Sequence, residues 1–379
     1  MIDPNVFEER LSMEEYKRYS RHFILDEVGI MGQSRLKFSK VLIVGLGGLG
    51  SLASMYLVAA GIGHIGIVDY DVISLSNLQR QVLYDTSVVD QKKAVVGKHR
   101  LQKINPRCQI VIFDTKLTTR NAKHIVADYD VIVDASDNFF TRYVLSDIST
   151  LYNLPVVYGA ILGKIGQLSV FNYKGGPTYR DLFYDKPQGN IIVSCSEGGV
   201  FGGVAAVISS MQVNEVMKIL LGLRSVMSGK LLIYDFSTAL FRTILLRKRL
   251  MYSRIDAFKC FENLYVEEAN SGFIKSKERV NEIFASEMGS YIEDESCFLI
   301  DVRSTMEYKS MHLKNSHNLP LEQLSQNSTA IFLQLKLSEG KYFVVYCSCD
   351  SRSLTAVNIL TKCGIKSLRL SGGLRALGL

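Results

Sequence analysis

The run Val41-Leu-Ile-Val-Gly-Leu-Gly-Gly-Leu-Gly50 decides the reading of the first part of this chain. Its four leading apolar residues make a short strand. Gly45, Gly47 and Gly50 then follow at the G-x-G-x-x-G spacing that turns a strand into a helix. A turn of this kind aims backbone N–H groups from a helix start and forms a phosphate site. Asp69 ends the next β-rich run, roughly 20 residues on, where an acid meets a ribose hydroxyl. Alone, this fingerprint fits an NAD-dependent oxidoreductase. The residues beyond it ask for more. Ser76-Asn-Leu-Gln-Arg80 lies just past Asp69, Lys93 opens the next helix, and Asp137-Asn138 follows the run Val131–Asp134. Cutting ATP between its α- and β-phosphates needs positive charge on the leaving pyrophosphate and a carboxylate for Mg²⁺. Arg80, Lys93 and Asp137 supply these, and hydride transfer needs none of them. Singly, Asp69 is a strand end, Arg80 and Lys93 are surface charges, and Asp137-Asn138 is a helix cap. Their joint order on strand ends is what points to a nucleotide being cut.

Outward from this centre the chain keeps a strand–helix rhythm. Val41–Val44, Ile65–Asp69, Ile110–Phe113, Val131–Asp134 and Val156–Gly159 read as strands. Helical patterns lie between them at Gly50–Ala60, Lys92–Ile104, Asn121–Ala127 and Thr141–Leu151, after a polar helical lead-in over residues 12–35. The alternation predicts an α/β fold with a doubly wound, mainly parallel, Rossmann-like sheet. Gln167–Tyr173, Leu231–Asp235 and Phe241–Leu246 extend it, antiparallel at its edge. Val200–Leu221 is apolar, but it contains Asn214, Glu215 and Lys218, so it reads as a buried helix rather than a membrane span. The rhythm stops after Arg249. We place a linker at 251–273, separating a domain over 1–250 from a smaller α/β domain over 274–379. In the latter, Cys297–Asp301, Tyr342–Tyr346 and Leu368–Leu370 read as strands, with a helix from Arg352.

The 379 residues are 47% hydrophobic and 21% charged with a net charge of +7, which is ordinary for a soluble two-domain protein. No arginine-rich run interleaved with aromatics suggests nucleic acid as a partner. Seven cysteines at irregular spacing argue against a disulfide framework and for a reducing compartment. The acidic N-terminus resembles neither a secretory signal nor a transit peptide, which suits a bacterial cytoplasm or a plastid stroma.

Arg18-Tyr-Ser-Arg21, Val44-Gly-Leu-Gly-Gly-Leu-Gly50, Asp69-Tyr-Asp71, Leu75-Ser-Asn-Leu-Gln-Arg-Gln81, Ile104-Asn-Pro106 and Ser136-Asp-Asn138 resemble the adenylyltransferases of molybdopterin-synthase and thiamine type. These activate ubiquitin-like sulfur carriers and are relatives of ubiquitin-activating enzymes. The likeness spans about residues 12–250. It implies that ATP adenylylates the C-terminal glycine of a carrier ending in Gly-Gly, with release of pyrophosphate. It would place Gly48 and Ser76, Asn77, Leu78, Gln79 and Arg80 around ATP. Asp69 would hold the ribose, Lys93 the phosphates, and Asp137 the magnesium. Arg21 would reach into the partner subunit's site, which implies a homodimer. Some members carry a reactive cysteine at the place of Cys195, where it would form a thioester or disulfide with the carrier; otherwise Cys195 is a small buried turn residue. Most members hold a structural zinc through two Cys-x-x-Cys pairs. Here Thr178 and Asp181 stand at the first pair, and at the second place, after Arg249, only Cys260 appears with no cysteine three residues on, so no zinc is expected.

Leu299-Ile-Asp-Val-Arg303, Glu307, His312, Val345-Tyr-Cys-Ser-Cys-Asp-Ser-Arg-Ser353 and Leu370-Ser-Gly-Gly373 resemble a rhodanese-like sulfurtransferase domain over about residues 274–379. The likeness implies a persulfide on Cys347 in a loop of amides, with Arg352 steadying the anion or its donor, and a cysteine desulfurase as sulfur source. Asp350 stands where a glycine is common and opposes thiolate formation. Cys349 is either a resolving thiol or a buried neighbour. Sulfur transfer at Cys347 and a catalytically silent docking module both remain open. His312 and His317 read as hydrogen-bonded structural residues. For the whole chain, the readings beside the carrier-activating one are an NAD-dependent oxidoreductase and a non-catalytic carrier-binding adaptor.

Overall fold

The structure, a computed structural model, describes residues 11–183, 199–248, 255–264, 282–324, 333–334, 336–337, 339–348 and 351–378. The chain divides into two units, residues 1–187 with 193–268, and residues 188–192 with 269–379.

In the first unit, three helices precede the sheet: α1 (Met13–Arg18), α2 (Ser20–Phe23) and α3 (Gly29–Phe38). Strand β1 (Lys40–Val44) then leads through the glycine turn into α4 (Gly48–Ala60) and β2 (His64–Val68). Next come α5 (Lys93–Ile104), β3 (Gln109–Phe113), α6 (Ala122–Val126), β4 (Val131–Asp134), α7 (Phe139–Tyr152) and β5 (Val156–Leu162). Strand order is β3-β2-β1-β4-β5, all parallel, so the winding reverses between β1 and β4. In open α/β sheets ligands bind in the crevice at such a reversal, outside the carboxyl ends of the strands. Alternation along β1 explains the two-sided core. Val41 and Ile43 join the apolar cluster on one face with Leu57, Ile65 and Ile67. Leu42 and Val44 join the other with Ile132, Tyr143 and Val144.

Strands β6 (Ile165–Phe171), β7 (Lys230–Asp235) and β8 (Leu240–Leu245) add an antiparallel extension with β8 at the edge. Between β6 and β7 lie α8 (Tyr179–Leu182) and the long α9 (Gly202–Leu221). The apolar stretch of α9 belongs to the core: Val204, Ile208 and Val216 are fully buried. Its polar residues serve the packing. Gln212 Nε2 donates to the carbonyls of Asp134 (2.8 Å) and Val157 (3.1 Å), and Ser209 Oγ donates to that of Leu49 (2.8 Å).

Two expectations need correction. β5 runs past Gly159 to Leu162, because its register with β6 continues to the Leu162–Ile165 pair at the hairpin end. The expected linker 251–273 is not all linker. Residues 255–264 are helical, Ala257 and Leu264 are buried, and Leu264 joins the cluster holding Tyr143 and Val144. A polar-looking stretch with apolar residues every third or fourth position can still dock one face.

The second unit is a parallel five-stranded sheet in the order β11-β10-β12-β13-β9. Its strands are β9 (Glu282–Ile283), β10 (Cys297–Asp301), β11 (Ser316–Asn318), β12 (Tyr342–Tyr346) and β13 (Ser367–Leu370). Helices lie at Thr305–Ser310, Ser351–Lys362 and Gly373–Ala376, among others. β9 and β11 are too short to show as strand patterns in the sequence.

Candidate active sites

At the head of β1, Gly45 holds a positive φ of 93°, and a β-carbon there would stand 2.7 Å from the Ala135 carbonyl oxygen. At Gly50 a β-carbon would meet the Gly45 oxygen at 1.9 Å. Only glycine fits either place, so the turn closes tightly, with the Gly45 N–H donating to the Val68 carbonyl at 2.8 Å. Asp69, just past β2, is buried and braces this turn: Oδ2 accepts the Leu46 N–H at 2.7 Å and Oδ1 the Asp71 N–H at 2.8 Å. Burial, opposed by the nearby Lys93 charge, pushes its carboxyl above the usual range.

Arg80 lies across the glycine turn, its Cγ 3.4 Å from where a β-carbon on Gly48 would stand, and Nη1 donates to the Ser76 carbonyl at 3.1 Å. Lys93 opens α5 and is buried, with Nζ 2.8 Å from Asp71 Oδ2. Asp71 is therefore a site residue without a role in the sequence reading. The clue was its position two residues after Asp69, in the motif already quoted. Asp137 is exposed beyond β4, while Asp134 and Ser136 before it are buried. Asp134 Oδ1 accepts both the N–H (3.0 Å) and the Oγ–H (2.6 Å) of Ser136. Asn138 Oδ1 caps α7 by accepting the Thr141 N–H at 2.9 Å. Burial foremost, and then the charges of Asp71, Asp137 and Asp69, raise the Tyr70 phenol.

Not every expected residue faces this cleft. Leu78 packs against the core. Asn77 Oδ1 accepts the Ser74 N–H at 3.3 Å, Ser76 Oγ lies 3.0 Å from Ser74 Oγ, and Gln79 Nε2 donates to the Val200 carbonyl at 3.4 Å. These four residues build the turn that presents Arg80. Gly47 remains open, with nothing nearer a β-carbon there than Gln81 Nε2 at 3.6 Å. The donors and cations on the page fit a nucleotide triphosphate: amides of a glycine turn at a helix start, two cations, and a free carboxylate for a metal. Arg21 is exposed on α2. That helix is pinned by His22 Nδ1 to Gln33 Oε1 (2.8 Å) and, beside it, by Asn105 Nδ2 donating to the Tyr19 hydroxyl (2.8 Å). Cys195 lies outside the described residues.

The segment Pro177–Asp181 does not fit a thiolate zinc clip. Asp181 Oδ2 accepts the Thr178 N–H (2.6 Å) and Oγ1–H (2.9 Å), closing a capping box on α8. Arg180 turns inward and grips the buried Asp147 through Nε (2.5 Å) and Nη2 (2.7 Å), over the Tyr143 ring. Tyr158, Phe171, Tyr179 and Phe183 pack around that corner.

In the second unit, Cys347 directly follows β12 and is fully buried in the apolar cluster with Ile300, Ala356 and Val357. Its Sγ accepts the Ser353 N–H at 3.3 Å and contacts Ser353 Oγ at 3.4 Å. Arg352 stands at the start of the helix Ser351–Lys362. Its Nη1 and Nη2 each donate to Glu307 at 2.8 Å, because Glu307 stands opposite on the helix Thr305–Ser310 and matches the fork. Cys349 and Asp350 lie outside the described residues. His312 Nδ1 lies 2.8 Å from the Tyr308 carbonyl, and His317 stacks on Phe298 at 4.2 Å between centroids.

Comparison with known proteins decides the lineage. The family model described as ThiF family matches residues 19–253. The chain belongs to the ThiF family. The model of the rhodanese-like domain matches residues 284–378 of the same chain. The "Probable molybdopterin-synthase adenylyltransferase" of Porphyra purpurea is 41% identical over 372 residues, 96% of this chain and 93% of that protein. "Adenylyltransferase and sulfurtransferase MOCS3" of Drosophila sechellia is 36% identical over 348 residues, 89% of this chain and 76% of that protein. Among solved structures, E. coli MccB with MccA-N7isoASN shares the fold at a TM-score of 0.57 and 21% identity, covering 65% of this chain and 76% of that one. This ThiF-family chain is an adenylyltransferase and sulfurtransferase. The oxidoreductase and adaptor readings are thereby set aside, and the family implies the use of ATP.

Proposed function

We propose that the ThiF-family unit adenylylates the C-terminal glycine of a ubiquitin-like sulfur carrier of molybdopterin-synthase small-subunit type, and that the rhodanese-like unit then delivers sulfur to it. In the first step a carrier carboxylate oxygen bonds to the α-phosphorus of ATP. The bond to the bridging oxygen breaks, and pyrophosphate leaves with its electron pair. Two anions meet in this step, so fixed cations must offset their repulsion. Arg80 across the glycine turn and Lys93 at the start of α5 provide them. Lys93 leaves Asp71 or shares its protons when phosphate enters. Asp69 has lone pairs left for the ribose, although both oxygens already brace the turn. Mg²⁺, when held by Asp137, would draw charge from the phosphate oxygens. The terminal sulfur of a Cys347 persulfide, charged by a cysteine desulfurase, then bonds to the carrier's carbonyl carbon as the bond to AMP breaks and AMP leaves with its electron pair. A second, external thiol cleaves the resulting acyl disulfide, freeing the carrier thiocarboxylate and leaving a disulfide with Cys347 that a further thiol reduces.

We assign the docking of the carrier to the edge strand β8. Leu240, Phe241, Ile244 and Leu245 are half or more exposed there, and the stacked Phe201–Phe236 pair (4.9 Å) is exposed too. An apolar strand at the edge of the sheet, as the described residues form it, suits strand addition by a small β-rich partner. We further propose a homodimer in which Arg21 crosses into the neighbouring site, domain limits near 1–250 and 274–379, and a protein that binds no zinc. A plastid stroma or a bacterial cytoplasm suits it. Cys195 as a covalent carrier site is a separate proposal that mass spectrometry of a trapped conjugate would test.

The observation that carries this reading is a glycine turn braced by Asp69, with Arg80 lying across it and Lys93 held by Asp71, at the strand ends beside the β1/β4 reversal. ATP–pyrophosphate exchange tests it. Exchange that depends on a Gly-Gly carrier and Mg²⁺, and falls at least about 100-fold in Asp137→Ala, is the expected result. Carrier-independent exchange, or an unimpaired variant, would overturn it.

A further inference from the structure

The motifs Arg18-Tyr-Ser-Arg21 and Ile104-Asn-Pro106 are joined by folding, although Tyr19 and Asn105 lie 86 positions apart. Asn105 closes α5 and is 1% exposed; Tyr19, between α1 and α2, is 5% exposed. One Nδ2 hydrogen of Asn105 goes to the Tyr19 hydroxyl at 2.8 Å and the other to the Val58 carbonyl at 3.0 Å. Its Oδ1 accepts the Arg107 N–H at 3.2 Å. Both polar atoms of this buried amide are therefore bonded, and a satisfied buried network fixes one geometry. The Tyr19 ring presses on Gly61, the left-handed end of α4 with φ 92°. A β-carbon there would stand 2.6 Å from Tyr19 Cζ and 2.5 Å from Gln33 Nε2. Gln33 Nε2 in turn donates to the Ala60 carbonyl at 2.9 Å, and Oε1 lies 2.8 Å from His22 Nδ1. Outside this knot, Arg18 Nη1 donates to the Ile104 carbonyl (3.1 Å) and Arg107 Nη2 to Glu14 (2.6 Å), exposed contacts worth less than the buried ones.

Helix α2 has four residues and no side-chain cap, so it has little stability of its own and its anchors set its direction. Those anchors are Tyr19 and His22, on either side of the exposed Arg21. The knot also has a definite place. Helix α4 begins at the glycine turn and α5 at Lys93, and Tyr19 is held where both of them end. Helices of 13 and 12 residues put that point roughly 18–20 Å from the chain's own glycine turn. We propose that Asn105 is a positioning residue for adenylylation: through Tyr19 it fixes α2 so that Arg21 is presented to the partner subunit's site. The proposal rests on the reading of a homodimer crossed by Arg21. Asn105 itself touches no substrate. It holds the direction from which Arg21 offsets the charge where carboxylate meets α-phosphate, and a displacement of about 1 Å is costly in such a step.

Subunit mixing of the full chain tests this, read by ATP–pyrophosphate exchange with a carrier ending in Gly-Gly. Asn105→Ala should lower exchange about tenfold. Mixed in equal amounts with Asp137→Ala and re-equilibrated, it should recover to about a quarter of wild type. The heterodimer then pairs an intact Asp137 with a well-held Arg21 from the other chain. Mixed with Arg21→Ala it should stay at about a twentieth, since neither site receives a well-held arginine. A residue that supports only its own subunit's site gives the opposite pattern, recovery with Arg21→Ala and none with Asp137→Ala, and that result would overturn the proposal. Tyr19→Phe keeps the ring and leaves Asn105 bonded to Val58, so it guards against a folding defect; it should repeat the pattern at about a fourfold loss. Undiminished exchange in Asn105→Ala, or no recovery with Asp137→Ala for either variant, would equally reject the role. The mixture of Arg21→Ala with Asp137→Ala reports on the underlying reading. No recovery there, in subunits shown to exchange, removes the crossing of Arg21 and the proposal with it.

Discussion

The Glu307 carboxylate, bonded first of all to Arg352, is lowered from an ordinary 4.5 to about 2. A depressed acid contributes stability that is fully present above its unfolded pKa and disappears as pH falls through the folded one. The rhodanese-like unit should therefore weaken between about pH 4.5 and pH 2. Glu307→Gln should flatten that dependence and lower the unfolding temperature at neutral pH by about 4 °C, since partial exposure screens the pair. Calorimetry at several pH values would check both; an unaltered acid limb in the variant would contradict the assignment. At the same scale, Lys93 and Arg352 teach one lesson. Their residue types and loop positions were readable from the chain, but their partners Asp71 and Glu307 stand 22 and 45 positions away. Sequence spacing carries no distance at that range, so which cation is free and which is locked is a tertiary fact.

Elements show where pattern suffices and where it does not. Strands β1 to β5 were legible because a parallel sheet buried on both faces needs continuous runs of Val and Ile. The helix 255–264 was lost in the expected linker because its two buried residues, Ala257 and Leu264, form too thin a stripe to stand out. The corner at α8 replaces thiolate ligands with a capping box and the buried Arg180–Asp147 pair. Metal analysis should therefore find no zinc, and EDTA should leave thermal unfolding unchanged. Asp147→Ala should cost about 3–5 kcal/mol, because it strands a buried guanidinium. A zinc equivalent lost with stability on chelation would reject this account. Strand β8 offers the complementary test. Because Leu245 is three-quarters exposed, Leu245→Asp should leave stability nearly unchanged while raising the KM for the carrier about tenfold or more and sparing that for ATP. Equal carrier KM values in steady-state exchange would remove β8 from the docking surface.

For the whole molecule, the proposed dimer makes a quantitative demand. If Arg21 serves the neighbouring site, Arg21→Ala and Asp137→Ala are each inactive, yet a heterodimer of the two has one intact site. Mixing and re-equilibrating equal amounts should restore up to about a quarter of wild-type exchange. No recovery in a mixture shown to exchange subunits would place Arg21 in its own site. The sequence by itself determined the two-unit α/β architecture, the nucleotide turn and the candidate cations and thiol. Those rest on local grammar: strand periodicity, glycine spacing, and residue types within a few positions of one another. Only the tertiary structure decided that Asp71 holds Lys93, that Leu78 serves the core, and that Arg352 bonds to Glu307. Each is a contact made by folding distant or successive residues into one geometry, and its energy depends on burial and direction that no linear spacing encodes.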